Sequence, residues 1–281
     1  MRKILPVGMR LGLFEIVSGL YAGRDAFVYK ARNCESGEIR ALKVLPNDAP
    51  AFEINSFAWE AEVSSILGKH PNLGRVYEAN HTQDLHYLVM DVVDGSNVEN
   101  IMCSGEIPVD TSLKIARDVA HGLEHMHKHK IVHRDVKTPN IMFDNNKATL
   151  IDFGIAYHTE RKIRKAPEFC ILGSPCFLPP EYWLGIEPNF FGDIYSLGTC
   201  LFLMISGITP VEHVFPVDII DYAKWAKQVS GESLMPHLRE LVPDIPVVVD
   251  DVCARALDRV ERRYSSAQEF ADALDDALRK L

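Results

Sequence analysis

The chain has 281 residues, 47% hydrophobic and 25% charged, the make-up of a globular protein of one or two domains. A chain of this length buries enough apolar surface to fold without staples, which excludes collagen-like, disordered and disulfide-built classes. The 30 basic against 39 acidic residues leave a net charge of −9, so neither nucleic acid nor an anionic membrane is expected as a partner.

The six cysteines, at 34, 103, 170, 176, 200 and 253, form no C-x-x-C pair and have no matching His pair. They predict free thiols in a reducing, cytoplasmic setting, with no zinc site. Arg10 and Glu15 break the N-terminal apolar run before it reaches the length of a leader. The longest later apolar stretch, 197–208, is interrupted by Gly198, Ser206 and Gly207. It falls short of the ~18–20 residues of a membrane span.

In chain order, short runs rich in β-formers at 12–17, 27–31, 39–45, 75–79 and 87–91 predict strands, each bounded by Gly, Asn, Asp or Pro. One helix, 51–67, interrupts them and ends at the 68–71 punctuation. From Asp110 onward the periodicity becomes helical, with helices expected at 111–128, 191–205, 216–229, 247–257 and 265–281. A β-rich part followed by a larger α-rich part predicts an α+β protein joined near 91–97, where Asp94-Gly95 breaks the pattern.

The chemistry concentrates in His133-Arg134-Asp135-Val136-Lys137-Thr138-Pro139-Asn140, followed by Asp152-Phe153-Gly154. An Asp, a Lys two residues on and an Asn five residues on can converge from one tight loop. Asn140 and a second Asp from a neighbouring turn then supply two oxygen ligands. Magnesium takes such a sparse shell and completes it with phosphate oxygens.

This pair of motifs resembles the catalytic core of the protein kinase family, and other matches follow in the family's order. Ala41-Leu42-Lys43 is similar to the strand lysine motif, which implies that Lys43 reaches the nucleotide phosphates. The 12–31 segment resembles the glycine-rich loop region through Val28-Tyr29-Lys30-Ala31. Tyr21, Gly23 and Ala26 fill the three glycine positions there, so two glycines are missing. Glu60 and Glu62 both compete to be the partner of Lys43. Glu60 has the better spacing to His70-Pro71-Asn72, whereas Glu62 has Ile66 four residues on, where Glu60 has Ser64. Glu60 is the favoured reading.

Tyr87 to Val93 resembles the last strand of the smaller lobe and the hinge. The likeness implies Met90 as gatekeeper, the backbones of Asp91 and Val93 at the adenine edge, and Val28, Ala41 and Met142 around the ring. Gly173-Ser174-Pro175 and Pro179-Pro180-Glu181 resemble the end of an activation segment. By the same resemblance Ser174 bonds Asp135 and Lys137, Glu181 pairs with Arg263, and Asp193 anchors the catalytic loop.

The likeness covers roughly 10–279 and is closest to bacterial Ser/Thr kinases. It implies a two-lobed kinase fold in one domain, with an N-lobe of 1–93 and a C-lobe of 94–281. The activity implied is transfer of the ATP γ-phosphoryl group to a Ser/Thr hydroxyl of a protein. Asp135 then serves as base, Lys137 steadies the γ-phosphate, and Asn140 and Asp152 hold Mg2+. A pseudokinase binding module is the first alternative and a small-molecule kinase the second. Thr159, just upstream of the basic run 161–165, is read either as a self-phosphorylated switch that Arg134 recognises or as an ordinary loop residue. The histidines at 121, 125, 127 and 129 read as the end of a long helix rather than a metal tract.

Overall fold

A computed structural model describes residues 4–22, 27–161, 172–214, 222, 224, 226–227 and 237–281. They fall into two compact units, Met1–Lys69 with Gly74–Val93, and His70–Leu73 with Asp94–Leu281. His70–Leu73, although it precedes the end of the first unit in sequence, belongs to the second unit.

The first unit is built on an antiparallel sheet. Its strands are β1 (Arg10–Leu11), β2 (Phe14–Ala22), β3 (Phe27–Asn33), β4 (Ile39–Pro46), β5 (Val76–His81) and β6 (Leu85–Met90), in the order β1-β2-β3-β4-β6-β5. Helix α1 (Ala51–Leu67) lies between β4 and β5 in sequence. Alternation along β4 gives each face its own core. Leu42 and Val44 join Leu11, Phe14, Ile16, Tyr29, Tyr87 and Val89 in one cluster, while Leu45 packs with Leu88, Val76 and Phe57 of α1.

The second unit is mostly helical. It begins with β7 (Ser96–Asn97), α2 (Val98–Ser104) and α3 (Val109–Lys128). The short strands β8 (Ile131–Val132), β9 (Ile141–Phe143), β10 (Ala148–Leu150) and β11 (Tyr157–His158) follow, forming the sheets β10-β9-β7 and β11-β8. After them come α4 (Pro180–Trp183), α5 (Phe190–Ser206), α6 (Pro210–Val214), α7 (Leu238–Leu241), α8 (Val247–Leu257) and α9 (Ala267–Leu278). Helix α5 is apolar all round and buried from Gly192 to Phe202, as a central helix must be. Asn189 caps it by accepting the Gly192 N–H, and Gly207 ends it in the left-handed region at φ 81°.

His70–Leu73 is stitched to the second unit by its main chain. The Leu150 N–H donates to the Asn72 carbonyl at 2.9 Å, and Asn72 Nδ2 donates to the Ala148 carbonyl at 2.9 Å. Gly122 of α3 permits this approach, because a Cβ there would sit 2.9 Å from Leu73 Cδ2 and 3.1 Å from the Asn72 oxygen.

The expected strands and helices recur with shifted ends, and the fold class is α+β. Most of the expected helix 216–229 lies outside the described residues. Helix α2 is an addition that the hydrophobic pattern did not predict. It is held by Asn97, which accepts the Asn100 N–H at 2.8 Å, and buries only Val98. Among the described residues no helix is long and apolar enough to cross a membrane.

Candidate active site

In the first unit the strand register gathers one set of predicted residues. Val28 pairs with Lys43 across β3 and β4, Ala41 pairs with Met90 across β4 and β6, and Lys43 pairs with Leu88. Directly paired residues share a face. Val28, Ala41, Lys43 and Met90 therefore line the same side of the sheet.

Lys43 Nζ lies 3.1 Å from Glu60 Oε2, and the Glu60 carboxylate is only 2% exposed. The geometry thus selects Glu60 over Glu62 as the partner of Lys43. Ser64, the residue that counted against Glu60, accepts the Val76 N–H through its hydroxyl at 2.8 Å and ties α1 to the start of β5. A polar side chain at that buried position is compatible because its hydroxyl has a partner. Asp91 follows β6 and its N–H donates to the Arg75 carbonyl at 2.9 Å. Asp91 and Val93 are both partly exposed. Gly23 lies outside the described residues, as does Ala26, and of Tyr21 only the backbone is described.

In the second unit one loop gathers the other set. Asp135 is held on three sides. Lys137 Nζ lies 2.8 Å from its Oδ2, Ser174 Oγ donates to its Oδ1 at 3.2 Å, and Asn140 Nδ2 donates to its Oδ2 at 3.0 Å and to its main-chain carbonyl at 2.9 Å. Lys137 also donates to Ser174 Oγ at 2.9 Å. The Asn140 amide nitrogen is therefore committed, and its oxygen is the atom with which it can take a cation. Asp152 adopts φ 70°, and its Oδ1 accepts the Gly154 N–H at 3.3 Å. A β-carbon residue pays strain in that region, a feature of ligand-clamping positions. A carboxylate and an amide oxygen form a hard, sparse donor set that suits magnesium. Met142, on β9, is partly exposed and pairs with Thr149 and with Asn97.

A layer of residues behind the loop fixes it. Asp193, on α5, accepts the N–H groups of His133 and Arg134 at 2.8 and 2.9 Å, and His127 Nε2 at 2.8 Å. His133, to which the sequence reading gave no role, accepts the Asp135 N–H on Nδ1 at 3.2 Å, so its Nε2 carries the proton that faces the Ile151 carbonyl at 3.3 Å. Burial pushes its pKa down, which keeps the ring neutral and preserves this tautomer. The Glu181 carboxylate meets the Arg263 guanidinium at 2.8 and 3.3 Å, and Arg263 is also bonded to the carbonyls of Phe191 and Asp258. Arg134 is buried, and burial lowers its pKa; its guanidinium donates to the Ile155 carbonyl at 3.4 Å. Thr159 is tied through both its N–H and its hydroxyl to the Lys130 carbonyl, at 2.9 and 3.3 Å.

The family model described as "Protein kinase domain" matches residues 14–272. The chain belongs to that family. A probable serine/threonine-protein kinase of Clostridium perfringens is 29% identical over 275 residues, covering 96% of this chain and 39% of that protein. Serine/threonine-protein kinase PknB of Mycobacterium leprae is 30% identical over 267 residues, covering 92% of this chain and 42% of that protein. This kinase domain thus spans well under half the length of these curated relatives. Among solved structures, the kinase domain of Mycobacterium tuberculosis PknI is 26% identical with a TM-score of 0.71, covering 98% of this chain and 99% of that one. The fold is that of a protein kinase, α+β, with a sheet-built first unit and a mostly helical second one.

Proposed function

We propose that the chain is the catalytic domain of a serine/threonine protein kinase that uses ATP and Mg2+ to phosphorylate a protein hydroxyl. The observation that carries this reading is the convergence of Lys137, Asn140 and Ser174 on the Asp135 carboxylate. In this reading the acceptor hydroxyl oxygen attacks the γ-phosphorus and its proton passes to Asp135. The bond from that phosphorus to the β,γ-bridging oxygen breaks, and ADP leaves with the electron pair. Lys137 steadies the γ-phosphate, and Lys43, held by Glu60, fixes the α- and β-phosphates. Ser174 positions Asp135 and Lys137. Asn140 and Asp152 are the residues that would hold magnesium, which supplies neutralisation of phosphate charge. Positioning and charge stabilisation account for most of the rate in such a site.

The adenine ring is assigned to the backbones of Asp91 and Val93, with Val28, Ala41, Met90 and Met142 around it and Gly23 over the phosphates. A protein substrate, rather than a small molecule, is favoured by the Ser174 and Pro180-Glu181 segment. A cytoplasmic location, without a nucleic-acid or membrane partner, suits the acidic charge and the free thiols of the five described cysteines. The second reading, a nucleotide-binding pseudokinase, rests on Tyr21 and Ala26 at two glycine positions. Incubation with radiolabelled ATP, magnesium and casein decides between them. Label on serine or threonine that Asp135→Asn abolishes supports the kinase, and ATP binding without transfer supports the pseudokinase. Mass spectrometry of the same reaction reads directly whether Thr159 is self-modified.

A further inference from the structure

Strands β5 and β6 run in register except at one point. Val76 faces Met90 and Glu78 faces Val89, so Tyr77 is the extra residue of a β-bulge. Bulges re-aim a side chain and are found beside functional sites. The Tyr77 hydroxyl donates to Asp91 Oδ1 at 2.7 Å. Two guanidinium groups stack on its ring, Arg40 at 4.5 Å and Arg75 at 4.7 Å from the centroid. Arg40 is itself fastened to Glu38 at 2.9 Å. Such cation–π contacts fix the ring plane, and with it the direction of the hydroxyl.

Asp91 is therefore held twice, by its N–H on the Arg75 carbonyl and by its carboxylate on Tyr77. The two grips come from Arg75, just before β5, and Tyr77, within it, and Arg75 serves both as main-chain acceptor and as ring brace. With its N–H committed, the main-chain group Asp91 can offer a ligand is its carbonyl. A carbonyl accepts, and the donor on the edge of adenine is the 6-amino group. We propose that Tyr77, braced by Arg40 and Arg75, is a positioning residue that aims the Asp91 carbonyl at the 6-amino group of the nucleotide. This rests on the assignment of Asp91 and Val93 to the adenine edge.

The test compares ATP with purine riboside triphosphate, which lacks the 6-amino group, by calorimetric titration and steady-state kinetics. The whole chain is used as wild type, Tyr77→Phe, Asp91→Ala and the double variant. Tyr77→Phe should weaken ATP binding and raise its KM by about 3–10-fold, the scale of one hydrogen bond to a charged group in partly exposed surroundings. Turnover should stay within about twofold, and affinity for the analogue should change by less than about 1.5-fold. The double variant should bind ATP no more weakly than Asp91→Ala alone, because both changes break one link. Equal losses for both nucleotides, additive losses, or a fall in kcat at constant KM would each overturn the proposal and make Tyr77 a structural residue. A wild type that binds ATP no better than the analogue removes the adenine-edge assignment, and the proposal with it. A wild type that prefers ATP, together with a Tyr77→Phe variant that prefers it equally, removes the proposal alone.

Discussion

Asp193 grips the N–H of Arg134 at 2.9 Å, and Arg134 is one of four non-glycine residues at positive φ among the described residues, at 72°. Left-handed backbone costs a β-carbon residue about 1–2 kcal/mol, so something must hold it there. The carboxylate does so with one oxygen, while its other oxygen takes the His133 N–H and the His127 ring. The residue just before Asp135 is thus kept in a strained turn from the first turn of a buried helix.

Replacing Asp193 with Ala removes these bonds and leaves buried N–H groups bare. The expected loss of stability is about 3–5 kcal/mol, with phosphoryl transfer falling at least about 10²-fold as the loop relaxes. Asp193→Asn keeps one acceptor oxygen and should cost less on both counts. Urea unfolding alongside the transfer assay checks the order wild type, Asn, Ala.

Asp135→Asn should lower phosphoryl transfer by about 10²–10⁴-fold while leaving ATP affinity nearly unchanged, since in the proposed reaction the carboxylate serves the acceptor hydroxyl. Asp152→Ala should instead weaken the magnesium-dependent part of ATP binding. Titrations of both variants at several magnesium concentrations separate the two roles, and turnover of Asp135→Asn near wild type would remove the base assignment.

The Arg263 side chain is 1% exposed and its partner Glu181 12%. Taking away the carboxylate strands a cation in the interior. Glu181→Ala should cost about 3–5 kcal/mol, whereas changing both residues to apolar ones of similar size should cost much less. Denaturant midpoints of the single and double variants measure this.

His70 carries the pH dependence that can be read with a sign. Burial, with His125 and His121 nearby, pushes its pKa down to about 4 from the ordinary 6.5. Its Nδ1 accepts the Asn72 N–H at 3.2 Å, a bond that only the neutral ring makes, and its ring stacks on His125 at 4.7 Å. Between pH 6.5 and 4 the unfolded chain binds a proton that the folded one refuses, so stability falls as pH drops through this window. A plot of melting temperature against pH should be steeper for wild type than for His70→Gln across pH 7 to 5. Parallel curves would show that His70 contributes nothing to acid sensitivity.

The elements legible in the sequence were those whose burial imposes a period. The long helix ending at Lys128 is of this kind, while the 51–67 helix, whose buried side carries Glu60 and Ser64, is legible through the punctuation at its end. Helix α2 was not, because a seven-residue helix with a single buried residue writes no periodicity and is held by its Asn97 cap. The expected strand at 12–17 lies instead at Phe14–Ala22, because Gly12, at φ 56°, turns the chain between β1 and β2. A Cβ there would run into the Tyr87 hydroxyl, a contact from far along the chain that no local pattern records. In the site, the motifs gave Asp135, Lys137, Asn140 and Asp152 through fixed spacing. The choice of Glu60 waited on Ser64 finding a backbone partner twelve residues away. His133 and Tyr77 were missed because their work is done through tertiary hydrogen bonds, one to a neighbouring main chain and one from a bulge.

The Lys43–Glu60 pair bears on how an inactive control is built. Changing Lys43 is an obvious way to disable the site, yet it would take the cation from a carboxylate that is only 2% exposed. Losing one member of a buried pair is among the costlier single changes a fold can suffer. A silent Lys43→Met protein would therefore confound lost chemistry with lost fold, in a cell by lower abundance as well as lower activity. Asp135→Asn keeps the side chain's shape, and the Lys137 ammonium it leaves behind is 23% exposed, so it is the inactive form whose silence can be attributed to the reaction.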